Sequence, residues 1–229
     1  GWTQMSRKGG NLVIQLGFPS DHASLLGRHF RKEVRWKFEA SHHPIRDTGR
    51  PTLAWARVDV EGDHMLIEEI QSDWLRFVSL FVQDLAKHEP QSRELRVHQE
   101  YERELVRLYA KRWPTAMLLA TLSTAVEHFG VRHVWMHQPS VGAVLKGING
   151  RQPPRSLYTQ LPRGFCFEAT QDVPPMLETR FHPSHLRRKK MRKLAIACRT
   201  GAPLFWHLDL GRRPDPPSQT ELSSSVISH

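Results

Sequence analysis

Apolar residues recur along this chain with two periods, and the switch between them separates strands from helices. Asn11 to Phe18 (NLVIQLGF) is aliphatic and β-branched, and Gly and Pro bound it, which predicts a short strand ended by Pro19. A polar, His-rich connection follows, and Leu25 to Ala40 mixes charged and aromatic positions without a clean period, so it carries no assignment. Ser41-His42-His43-Pro44 and Asp47-Thr48-Gly49-Arg50-Pro51 have loop and turn chemistry. Thr52 to Val60 (TLAWARVDV) and His64 to Gln71 (HMLIEEIQ) are β-rich and joined by Glu61-Gly62-Asp63, the spacing of an antiparallel hairpin.

Beyond Trp74 the period lengthens. Leu75, Val78, Leu80, Phe81, Val82 and Leu85 begin a helix interrupted at Glu89-Pro90, and a charged helix runs from about Ser92 to Lys111 with Leu95, Leu105 and Leu108 toward the core. Pro114 suits a first helical turn, and Met117, Leu118, Leu122, Ala125, Val126 and Phe129 repeat at helical spacing up to Gly130. Val131 to Met136 (VRHVWM) reads as the next strand, followed by a Gly-interrupted stretch to Gly150, a short helix at Arg155 to Leu161 and a last strand at Gly164 to Glu168. Arg187 to Lys193 (RRKKMRK) packs six cations into seven positions, and the apolar stripe Leu186, Met191, Leu194, Ala195 and Cys198 predicts a basic amphipathic helix. The expected fold is α/β (or α+β): a central, mostly antiparallel sheet flanked by helices. It would form a core over 1–180, with a basic appendage over 181–211 and a flexible, Pro- and Ser-rich tail over 212–229.

Charge changes the picture more than size does. Lys and Arg number 33 against 23 Asp and Glu, a net +10 with 14 His in reserve, so nucleic acid or another polyanion is the expected partner. The alternative is Arg-rich solubility without binding. No apolar run is long enough for a membrane span, and the two cysteines form no C-x-x-C pair, which points to a reducing compartment, the cytoplasm. No H-E-x-x-H or Cys/His spacing calls for a metal, and neither a P-loop nor a G-x-S-x-G elbow is present.

The candidate chemistry gathers at the end of the second hairpin strand. Strict alternation places Glu69, Gln71 and Asp73 on one side and Glu68 with Leu66 and Ile70 on the other, so Glu68 and Glu69 would not form a carboxylate pair. A cleft at this strand end would give Glu69 the role of base, and His137, just past the other strand, could line it as a neutral imidazole. The competing readings are structural: Ser72 or Asp73 as a helix cap, Glu69 in an ion pair, His137 as a hydrogen-bonded surface histidine. Arg187, Arg188, Lys189, Lys190, Arg192 and Lys193 are the phosphate-contact candidates.

Two resemblances add to this reading. The string Ile67 to Trp74 (IEEIQSDW), preceded by Ser41-His42 and the strand TLAWARVDV, resembles a module of very large phage and mobile-element polyproteins over about residues 9–138. His42, Gln71, Asp73 and Trp74, in and just before this string, are the substrate-binding candidates. Helix Thr115 to Phe129, strand Val131 to Met136, Arg155-Ser156-Leu157-Tyr158 and Gly164-Phe165 are similar to the back half of a GCN5-related acyltransferase. That similarity implies acyl-CoA as the donor and Tyr158 near the thioester sulfur, where a phenol protonates the leaving thiolate; otherwise Tyr158 is a core tyrosine. The family's pyrophosphate loop should open the helix at Arg112 to Ala116, where this chain reads Arg-Trp-Pro-Thr-Ala without a glycine. The functional expectation is a phage-type transferase of GCN5-like architecture that modifies an amine on a nucleic-acid-associated substrate. The alternative is a noncatalytic nucleic-acid-binding module.

Overall fold

The computed structural model describes residues 5–7, 12–30, 38–39, 49–148 and 154–211 of the 229. His42 and the tail from residue 212 lie outside the described residues. Six strands form one sheet: β1 Leu12–Gly17, β2 Thr52–Glu61, β3 His64–Gln71, β4 His133–His137, β5 Glu168–Thr170 and β6 Phe205–Asp209, in the order β1-β2-β3-β4-β6-β5. Every neighbouring pair is antiparallel except β3 and β4, which run parallel. Helices α1 His22–His29, α2 Asp73–His88, α3 Arg93–Leu105, α4 Trp113–Phe129, α5 Pro139–Lys146, α6 Gln160–Gly164, α7 Glu178–Phe181, α8 Pro183–Leu186 and α9 Arg192–Thr200 surround it. The fold is therefore mixed α/β, a mainly antiparallel sheet flanked by helices, as the hydrophobic pattern predicts.

Each face of the sheet buries its own cluster. Ala54, Ala56 and Val58 of β2, Met65, Ile67 and Ile70 of β3, and Val134 and Met136 of β4 pack on one side against Trp74, Val78, Tyr101, Leu105, Met117 and Leu118 of α2 to α4. On the other side Leu66, Trp135 and Phe205 meet Val141 and Leu145 of α5 and Leu194 of α9. The helices follow from their sequences. Ser72 caps α2 by accepting from Leu75 N, and Trp74, Val78, Val82 and Leu85 recur on its buried face. Pro114 enters the first turn of α4, and Gly130 ends it at φ 61°, a left-handed conformation that side chains other than glycine resist.

Several elements differ from expectation. The connection after β1 holds α1, an eight-residue helix that buries His22 and Leu25. The charged helix ends at Leu105 and passes through a wider π turn over Val106–Ala110. The Gly-interrupted stretch is helical from Pro139, with Gly142 in the middle. Gly164 to Phe167 is not a strand: Pro162 O accepts from Phe165 N and Phe167 N, closing a turn that leaves only Glu168–Thr170 for β5. The basic run is not one helix but α8, a bend, a 3-10 turn at Lys189–Met191 and α9. Its segment is also no appendage, since Phe205–Asp209 inserts between β4 and β5. Cys166 and Cys198 are both free. Among the described residues no helix is long and apolar enough to cross a membrane.

Candidate functional site

The site begins with a bulge. Val58 pairs with Ile67 and Arg57 with Glu69, so Glu68 is an extra residue on β3 with no partner on β2. The extra residue resets the alternation: Ile67 and Ile70, three apart, both reach the core beside Met65. Both glutamates are left on the opposite side, where Glu68 meets Ser6 and Glu69 bonds Arg57. The expectation that Ile70 accompanies Leu66, and that Glu68 and Glu69 are kept apart, is corrected by this one residue.

At the same point the two parallel strands part. Pairing between β3 and β4 runs from His64 with His133 to Ile67 with Met136 and goes no further. Backbone groups of β3 beyond the fork need other partners, because an unpaired buried amide or carbonyl is costly. Side chains supply them: Lys146 Nζ donates to Glu68 O at 2.6 Å, and Tyr158 Oη accepts from Ile70 N at 3.4 Å. A small, partly open cleft of about 20 Å³ lies here, lined by His137, Gln138, Gly142, Lys146, Ile148 and Tyr158 among others.

Burial sets the charge states. His137 is 1% exposed and its Nε2 lies 2.7 Å from Ser6 Oγ. Desolvation, then the nearby Lys146 charge, holds its pKa well below the ordinary 6.5, so the ring is neutral at neutral pH. With Glu68 ionised, Ser6 Oγ donates to the carboxylate and accepts from His137 Nε2–H, which makes Nδ1 the bare acceptor; Nδ1 has no hydrogen-bond partner among the described residues. Burial pushes Glu68 up, against the opposing pull of Lys146 and Ser6, and pushes Lys146 down, against the opposing pull of Glu69 and Glu68. The Tyr158 phenol is raised by burial and by Glu69, so it stays protonated; its oxygen accepts from Ile70 N and its own proton remains to give. Gly142 matters sterically, since a Cβ there would stand 3.1 Å from His137 Cβ.

The structure brings together two of the three catalytic candidates, His137 and Tyr158, along one cleft. Glu69 sits beside them but is engaged by Arg57. Gln71, Asp73 and Trp74 serve the strand-to-helix turn instead. Gln71 bonds Asp73, whose other oxygen accepts from Trp55 Nε1 at 2.8 Å, while Arg76 adds a third donor at 2.9 Å. Ser72 Oγ also donates to Leu53 O at 2.6 Å, and Trp74 is fully buried with its Nε1 on Tyr101 Oη at 2.8 Å. Half of the IEEIQSDW string thus locks the chain's change of direction. Arg187, Arg188, Lys189, Lys190, Arg192 and Lys193 are all exposed around the buried anchors Met191 and Leu194, remote in sequence from the cleft. Sequence reasoning missed Ser6, Glu68 and Lys146; a lysine four residues after a helical glycine was the one available signal.

Comparison with protein families, with curated proteins and with solved structures finds no match for this chain.

Proposed function

We propose that the chain is a group transferase of GCN5-like architecture whose chemistry takes place in the fork between β3 and β4. The observation that carries the reading is the fork itself: the one parallel pair among the described strands opens at a bulge, and Tyr158 Oη accepts from Ile70 N just beyond it. In this reading Tyr158 gives its proton to the leaving thiolate. His137, neutral and with a bare Nδ1, takes the proton of the incoming nucleophile, the role that Glu69 loses to its ion pair with Arg57. Lys146 and Arg57 supply fixed positive charge beside the two glutamates. The acceptor is an amine on a nucleic-acid-associated substrate, which the exposed cations of 187–193 would attract.

The donor is the open term. Residues 112–116 start α4 without glycines, and Pro114 removes one amide that a pyrophosphate would use. A donor lying along β3 must also displace Lys146 and Tyr158 from the backbone groups they satisfy. Calorimetric titration with acetyl-CoA tests the reading: saturable binding that Tyr158→Phe leaves intact, together with transfer that the same variant abolishes, supports it. No heat at millimolar acetyl-CoA removes that donor.

A second reading rests on the basic segment. Six exposed cations on two buried anchors are suited to sequence-independent phosphate contact, and binding of this kind weakens steeply with salt. Reversing Arg187, Arg188, Lys189 and Lys190 to Glu should abolish retention of DNA or RNA and flatten its salt dependence while the cleft is unaffected.

A further inference from the structure

Two buried carboxylates of the sheet take their hydrogen bonds from a single dipeptide. Glu68, with no exposed surface, accepts from Ser6 N on Oε1 at 3.1 Å and from Ser6 Oγ on Oε2 at 3.0 Å. Asp59, 3% exposed, accepts the guanidinium fork of Arg7, Nε at 2.8 Å and Nη2 at 2.7 Å. Glu61 at the rim takes Nη1 of the same group, and His137 Nε2 closes the ring around the serine hydroxyl at 2.7 Å. Ser6 and Arg7 have no helix or strand pairing of their own, so side-chain chemistry with β2, β3 and β4 is what holds them.

That chemistry is selective. A buried carboxylate stripped of its partner is among the costlier defects a fold can carry, so Asp59 and Glu68 demand an occupant. The forked geometry at Asp59 fits a planar guanidinium and not an ammonium point charge. Next to it, one backbone N–H and one hydroxyl are required in register, the hydroxyl accepting from an imidazole on its other side. Together these requirements spell a serine followed by an arginine. We propose that Asp59, Glu61, Glu68 and His137 form a binding site for a Ser-Arg element of a polypeptide, filled here by the chain's own Ser6-Arg7 and open to the same element of a second polypeptide. His137 belongs to both this site and the cleft, so a docked serine hydroxyl lies against the imidazole that borders Tyr158 and Lys146. The claim stands on these contacts alone and does not depend on the donor or on the transfer reaction.

The test uses the fluorescein-labelled decapeptide GWTQMSRKGG and the full chain, read by fluorescence anisotropy. In the unmodified chain the tethered dipeptide competes at high local concentration; the full-length variant carrying Ser6→Ala and Arg7→Ala removes that competitor and should bind the peptide about tenfold more tightly or better. A peptide carrying the same S6A and R7A changes should lose that affinity. A second measurement needs no variant: in the unmodified chain, millimolar peptide should speed exchange of the Ser6 amide, followed by NMR. Equal weak binding to a folded variant and to the unmodified chain, or a Ser6 amide whose exchange ignores the peptide, overturns the proposal and leaves Ser6-Arg7 as a fixed structural tether.

Discussion

A carboxylate with no exposed surface must be hydrogen-bonded on both oxygens or give up its charge, and Glu68 draws both of its donors from Ser6. Glu68→Ala leaves the Ser6 amide and the Ser6 hydroxyl without an acceptor and should cost about 1–3 kcal/mol in a denaturant titration. Glu68→Gln keeps the shape and one acceptor and should cost much less. Burial raises the Glu68 pKa, so the folded state holds its proton more tightly than the unfolded chain does. Its contribution therefore declines as pH rises above the ordinary 4.5 toward the folded value, and the Gln variant should lack that decline. Tyr158→Phe leaves the buried Ile70 N without the phenol oxygen it donates to and should cost about 1–3 kcal/mol while transfer disappears. Gly142→Ala presses a methyl to 3.1 Å of the His137 side chain. It should therefore alter the ring's pH response, read from the His137 imidazole resonances in NMR.

At the scale of elements, the turn from β3 into α2 and the fork beside it have separate jobs although they share one sequence string. Ser72→Ala loses both the cap on Leu75 N and the bond to Leu53 O, and should destabilise the chain by about 1–2 kcal/mol in thermal unfolding without changing binding at the cleft. The hairpin Thr52 to Gln71 and the helix ending at Gly130 were legible because period, turn residue and cap agree there. The bulge was not: nothing in Ile67-Glu68-Glu69-Ile70 distinguishes an unbroken alternation from one with a residue inserted, and only the register with β2 decides it. Helix α5 was hidden by Gly142 and Gly147, one needed for close approach to His137 and the other a left-handed stop at φ 67°. Strand β6 was hidden because five residues following a basic run carry too little pattern to stand out. His137 and Tyr158 could be proposed from sequence as polar groups near strand and helix ends, whereas Ser6 meets Glu68 across 62 positions, a contact only the fold creates.

For the whole molecule, acid sensitivity follows from buried neutral histidines. His22 stacks on Phe18 with ring centroids 3.6 Å apart, and burial lowers its pKa from 6.5 to about 4; burial also holds His137 well below 6.5. A histidine that is neutral when folded and charged when unfolded contributes fully above pH 6.5, and its contribution is lost as pH falls toward the folded value. Between 6.5 and 4 the His22 ring removes about 1.4 kcal/mol per pH unit, so the melting temperature should drop over that span, and His22→Phe should shallow the drop.

Strand β6 also governs the order in which the molecule can be completed during synthesis. Among the described residues, the second edge of β4 and the whole of β5 pair only with Phe205–Asp209. On the ribosome, the second edge of residues 133–137 and the whole of 168–170 must therefore wait unpaired until 205–209 emerge, and an open strand edge is the feature most prone to pairing with another chain. A nascent chain stalled before residue 205 presents that edge in full, which makes it a natural client for a chaperone that clasps exposed strands.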